Sequence, residues 1–252
     1  MSLSLTFQFL TRTKNQAAVE VLLAGLDSAH PATRDGALRA LLDRPDPAGH
    51  YEVMRRLGRL DSRGRDIARQ RPERLARVAS EALRDGDGEV LEAACEAIVS
   101  FRLYDAIPAL VAVVNQAGHP HAPMAAEVIV RLTELFYGEL CEQEAQPSRR
   151  DLDTLRDRIT SALESGVRGF FRHRRREVIE AFLLVARQQN VVLRQVLQHS
   201  QDANCQAVLE ILATSAQGGV IRLLLSFLED PLLPQSVKNV IAGRTDLKFV
   251  SN

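Results

Sequence analysis

The stretch LLAGLDSAHPATRDGALRALL, Leu22 to Leu42, decides the fold. Val19, Leu22, Leu23 and Leu26 recur at helical spacing, which gives this segment one apolar face. Asp27-Ser28-Ala29-His30 breaks the pattern. Pro31 then stands where a helix tolerates proline, in a first turn whose amide has no intrahelical partner anyway. Ala37, Ala40 and Leu41 rebuild an apolar face at three- and four-residue intervals. The reading is two helices joined by a turn of a few residues, which makes them neighbours.

The same shape returns along the chain. VASEALRDGDGEVLEAACEAIV (Val78 to Val99) repeats it with Asp85-Gly86-Asp87-Gly88 as the turn, and VLQHSQDANCQAVLEIL (Val196 to Leu212) and LLLSFLEDPLLPQSVKNVI (Leu223 to Ile241) follow. Other stripes run between them: Ile107, Leu110, Val111 and Val114; Val128, Ile129, Leu132 and Phe136; Leu152, Leu155, Ile159 and Leu163; Ile179, Phe182, Leu183 and Ala186. No segment sustains period-two alternation, and Leu and Ala, both strong helix formers, supply 66 of 252 residues. The expectation is an all-α chain of roughly a dozen helices of about ten to fifteen residues. One hairpin of this kind cannot bury its apolar face alone. Neighbours must stack into a continuous core, here a single domain over 1–252.

Leu26-Asp27, Pro31, Arg34, Ala37 and Ala40-Leu41 resemble the HEAT-repeat family. In that family helix A ends at Leu-Asp, the turn often holds Pro, and helix B opens with Val-Arg followed by Ala and Ala-Leu. Asp85, Val90, Ala94 and Ala97-Ile98 follow the pattern with Leu91 where Arg would stand. Asp230-Pro231 and Val237-Lys238 follow it more loosely, and Gly138 to Arg176 departs from it. The resemblance implies a right-handed α-solenoid of stacked antiparallel helix pairs, degenerate or inserted around 138–176. It also implies side-chain bonds from Asp27 and Arg34 across the inter-helix turn, and a concave surface lined by helix B of each pair. Pro147-Ser148 followed by Arg149-Arg150-Asp151 reads as the start of a capped, polar helix. Arg244 to Val250 reads as the start of a further helix, so the chain is expected to be a fragment of a longer array. A packed cap over Leu247 and Phe249 would overturn that expectation.

Composition excludes several classes. Hydrophobic residues at 46% and charged ones at 25% are those of a globular chain, against global disorder. Cys95, Cys141 and Cys205 lie far apart with no CxxC spacing, so neither a disulfide framework nor a zinc knuckle is expected, and the cytoplasm is the expected compartment. The N-terminus lacks the pattern of a signal peptide, and the longest apolar run, around Ala106 to Val114, is too short to cross a bilayer. No GxSxG, HExxH, Walker or GxGxxG motif appears, so neither catalysis nor a cofactor is assigned. His119-Pro120-His121 with Glu127 reads as a turn rather than a metal site, and Cys141 sits among Glu139, Glu142 and Glu144, which disfavour a thiolate.

Charge placement carries the functional signal. The 32 basic and 32 acidic residues cancel, which excludes a uniformly basic surface. Residues 1–80 carry 14 basic and 9 acidic side chains, residues 81–147 carry 3 and 12, and residues 148–190 carry 10 and 6. Arginine outnumbers lysine 29 to 3, which suits a GC-rich bacterial genome as well as a need for guanidinium forks. Two clusters stand out. Arg168, Arg172, Arg174, Arg175 and Arg176 bracket Phe170, Phe171 and His173, and Arg55, Arg56 and Arg59 lie on the first basic block. Such clusters bind carboxylates or phosphates in bidentate fashion, unless the acidic blocks already satisfy them. The expected function is a non-enzymatic scaffold whose concave surface binds a protein segment, acidic or phosphorylated, with no membrane role. The alternative is a nucleic-acid-binding protein of the HEAT-like DNA glycosylase type using these arginine patches. A third class, the HEAT-like bilin lyases, would need a deep apolar pocket with a poised carboxylate.

Overall fold

The structure is a computed structural model and describes residues 3–85, 88–145, 152–228 and 230–244. The Gly86-Asp87 step, the polar run from Pro147 to Asp151, and Leu247 and Phe249 lie outside the described residues. Sixteen α-helices and two 3-10 turns make up the described chain, with no strand among them. This exceeds the dozen expected because short helices such as Phe170–His173 leave no stripe of their own. The chain divides into two compact units, Met1–Ala106 and Ile107–Asn252.

The first unit holds α1 (Leu3–Arg12), α2 (Ala17–Leu26), α3 (Pro31–Asp43), α4 (Pro47–Arg55), α5 (Ser62–Ala68), α6 (Pro72–Asp85) and α7 (Gly88–Ser100). Prolines 31, 47 and 72 each open a helix, where a fixed φ helps and a missing amide costs nothing. The Asp46 carboxylate accepts the Ala48 amide at 3.0 Å, and that of Asp61 accepts the Gly64 amide at 2.7 Å, so both cap exposed donors. α3 packs on α1, α2, α4 and α5, and α4 packs on α2, α6 and α7. Leu22, Leu38, Leu41, Leu42, Met54 and Leu75 are buried between them. Each such side chain contributes about 1.5–3 kcal/mol of burial free energy.

The second unit holds α8 (Ile107–Asn115), α9 (Ala122–Ala145), α10 (Leu152–Arg168), α11 (Phe170–His173), α12 (Arg176–Val185), α13 (Val191–Gln198), α14 (Ala203–Thr214), α15 (Gly218–Phe227) and α16 (Gln235–Gly243). α9, α12 and α15 pack in succession, α10 lies against α8 and α12, and α14 against α12 and α16. α12 is the centre. Every residue from Ala181 to Val185 is buried, along with Val178 and Ile179. A helix packed on several sides is apolar nearly all round, which is why its burial is wider than the single stripe read from the sequence.

Arginine forks tie helix ends together. The Arg34 guanidinium donates to the carbonyls of Ser28 and Ala29 at 3.0 and 3.1 Å. It thus bonds the turn itself and meets Asp61 at 3.6 Å; the cross-turn bond expected of Asp27 is supplied by backbone oxygen. The reason is that the turn after α2 presents carbonyls with no helical donor. Arg44, 2% exposed just after α3, donates to the carbonyls of Leu10 and Thr13 at 2.5 and 3.0 Å. Arg244, just after α16, does the same to Leu212 and Ser215 at 2.9 and 3.0 Å.

Candidate partner-binding site

The first arginine cluster is answered on its own surface. Arg55 lies 3.6 Å from Glu52 and 3.7 Å from Glu89, and Arg56 pairs with Glu52 one turn earlier. Arg55, Arg56 and Arg59 share a concavity of about 340 Å³ with Glu52 and Glu89. Glu96 of α7 approaches the same rim, with its carboxylate 3.2 Å from where a Cβ on Gly58 would stand. Arg55 and Arg56 are thus matched locally, and an anion reaching them would have to displace glutamate. Elsewhere in the basic block the pattern repeats: Arg63 meets the buried Asp35 at 2.6 Å and Arg71 meets Asp43 at 2.9 Å.

The second cluster is built by the junction of α10 and α12. Gly166 and Gly169 admit the close approach: a Cβ at 166 would stand 2.5 Å from Val178 Cγ1, and one at 169 would stand 2.3 Å from Asn115 Oδ1. α11 buries Phe170 and turns Phe171 outward, 59% exposed. Arg174 ends α11 in the left-handed region at φ 55, its amide donating to the Phe170 carbonyl at 2.8 Å. His173 locks the turn. Its Nδ1 accepts the Arg175 amide at 2.9 Å, which leaves Nε2 to donate to the Gly166 carbonyl at 2.9 Å. Accepting at Nδ1 requires the neutral ring, and burial, with Arg175 nearby, pulls its pKa below the usual histidine value against the Gly166 bond, which raises it.

The five arginines of this cluster therefore divide. Arg168 is paired with Glu164 at 3.6 Å, and Arg176 with Glu210 at 3.0 Å. Arg172 lies over the Phe171 ring at 5.0 Å and Arg174 over Phe170 at 5.9 Å. Among the described residues Arg172, Arg174 and Arg175 have no carboxylate partner. These three arginines thus lie within four residues of the exposed Phe171, flanked by two that are already neutralised.

A third gathering, Arg156, Arg187 and Arg222, lines one pocket of the second unit. No run of the sequence announces it, because the three residues come from separate segments. Its one legible signal was the polar loop Arg187-Gln188-Gln189 after an apolar helix.

Among the described residues no group of three or more His, Cys, Asp or Glu side chains stands close enough to hold a metal ion. The His119 ring accepts the His121 amide at 3.2 Å and stands edge-on to the His121 ring, a local turn contact. Cys95 is buried, and desolvation with Glu92 nearby pushes its thiol up to about 11. Cys205 is buried as well, and desolvation with Asp202 nearby raises its thiol pKa. Neither is set up as a nucleophile. No single described helix is long and apolar enough to cross a membrane. Compared with protein-family models, curated proteins and solved structures, the chain matches none.

Proposed function

We propose that this chain is a HEAT-like α-solenoid in the cytoplasm that docks an acidic segment of a protein partner without catalysing a reaction. The observation that carries this reading is the patch of Arg172, Arg174 and Arg175 beside the exposed Phe171, unanswered by carboxylates while Arg168 and Arg176 are paired. The packing of α9, α12 and α15 in succession, with α10 against α8 and α14 against α16, supports the solenoid reading. Guanidiniums bind carboxylates in bidentate fashion, and an exposed aromatic ring adds an apolar anchor at the centre of such a contact.

Fluorescence anisotropy with a labelled Glu-rich peptide containing one Leu tests it, with a single-stranded oligonucleotide of equal charge as competitor. Arg172→Ala with Arg175→Ala is expected to weaken peptide binding about tenfold or more, and binding is expected to fall steeply with salt. Equal binding by wild type and double variant, or a salt-independent complex, would remove the patch from the interface. Tighter binding of the oligonucleotide would turn the assignment to nucleic acid.

A further inference from the structure

Arg156 belongs to α10, Arg187 to the loop after α12, and Arg222 to α15, yet the three line one pocket of about 290 Å³. Each is oriented by the fold. Arg156 Nε donates to the Val185 carbonyl at 2.7 Å, at the end of α12. Arg187 meets Asp153 at 2.5 Å and Asp157 at 3.8 Å. Arg222 hydrogen-bonds the Tyr137 hydroxyl. Asp153 and Asp157 answer Arg187, while Arg156 spends one donor on a neutral carbonyl. Burial lowers the Arg156 pKa first, and the charges of Arg187 and Arg222 lower it further against Asp153 and Asp157. Like charges gathered in this way repel, and a bound anion would relieve that repulsion.

Leu140, Leu184 and Leu223 form an apolar wall, and Gln188, Gln189 and Ser226 complete the lining beside the arginines. Gly219 brings that wall together. A Cβ there would stand 2.6 Å from the Leu184 carbonyl oxygen and 3.1 Å from Tyr137 Cδ2, so only glycine lets α15 approach α12 and α9 this closely. The volume falls just below the usual range for ligand pockets, about 300–1,000 Å³, which suits a small metabolite.

We propose that this pocket binds a small organic phosphate, its phosphate oxygens on Arg156, Arg187, Arg222 and the Tyr137 hydroxyl and its carbon skeleton on the leucine wall. A carboxylate would engage one fork and leave the others unmatched. Three guanidiniums from three directions match a tetrahedral dianion. The site shares no residue with the patch at α11, so it stands or falls independently of the docking reading.

Isothermal titration calorimetry at constant ionic strength tests it with phenyl phosphate, inorganic phosphate and benzoate. Phenyl phosphate is expected to bind saturably, with benzoate and inorganic phosphate each about tenfold weaker or worse. Arg222→Gln alters an exposed side chain and is expected to weaken phenyl phosphate about tenfold, with Tyr137→Phe weakening it less. Circular dichroism checks that both variants fold, and Arg172→Ala is expected to bind phenyl phosphate as wild type does. No saturable binding, or equal binding by Arg222→Gln, would overturn the site. Benzoate binding as tightly as phenyl phosphate would overturn the phosphate assignment, and inorganic phosphate doing so would overturn the role of the apolar wall.

Discussion

Replacing Arg44 with alanine asks whether one guanidinium keeps α1 docked. α1 has no fully buried residue, and its Leu3, Leu5 and Phe9 are 50%, 58% and 71% exposed. Phe7 lies over Gly36 of α3, where a Cβ would stand 2.2 Å from the ring, and α1 also packs on α2. Arg44 adds a polar attachment, donating to the carbonyls of Leu10, Thr13 and Asn15 at 2.5, 3.0 and 3.3 Å. A hydrogen bond with one charged partner contributes about 1.5–3 kcal/mol net. The longest of the three is weak, and the carbonyls regain water once α1 lifts away. The docking free energy of α1 should then fall by about 2–4 kcal/mol, a factor of about 30 to 1,000 in its opening equilibrium.

Hydrogen exchange read by mass spectrometry resolves this helix by helix, because local opening is separable from global unfolding. Peptides covering 3–12 should lose protection in Arg44→Ala while those covering 31–43 keep theirs. Arg44→Met retains the apolar stem and drops the donors, so it should behave like alanine if hydrogen bonding dominates. Unchanged exchange in 3–12 would refute the argument. So would equal loss in 31–43, since the fork would then support the whole unit and not α1.

Gly219→Ala sets helix propensity against a backbone clash: in the first turn of α15 alanine gains at most about 1 kcal/mol, but overpacking costs about 1–3 kcal/mol. Because the clashing atom is the Leu184 carbonyl oxygen and cannot swing aside, urea denaturation should show a net loss of stability. A more stable variant would mean that α12 and α15 separate freely. His173 and His50 both have pKa values lowered, chiefly by burial. Their stabilisation is complete above the unfolded-state value, near 6.5, and is lost as pH falls through the lower folded-state values. The melting temperature should drop between pH 7.5 and pH 5.5, and His173→Gln, whose amide can accept and donate like the neutral ring, should flatten that drop. An identical pH slope in the variant would show that His173 does not titrate on unfolding.

Much of the fold was legible because helix formation is local. Pro31, Pro47 and Pro72, the caps Asp46 and Asp61, and the stripe Leu75, Val78, Ala79, Ala82 and Leu83 all act within a few residues of where they stand. Arg34 was legible as a residue that bridges the turn, but its partner was not, since carbonyl oxygens leave no mark in a sequence. The candidate site was half legible. Five arginines at 168–176 announce a basic segment, while their division into paired and unpaired depends on Glu164, one turn back in α10, and Glu210, on α14.

The sequence by itself determined that this chain is helical, where most helices begin, and that its zero net charge hides opposed blocks. Tertiary structure alone decided which of those charges remain available. Arg55 is matched by Glu89 and Arg176 by Glu210, each pair separated by a full helical hairpin of sequence. Ion pairing depends on distance in space and on the local dielectric, and neither follows from order along the chain. For the same reason Arg156, Arg187 and Arg222 come together around one pocket only when α9, α10, α12 and α15 are packed.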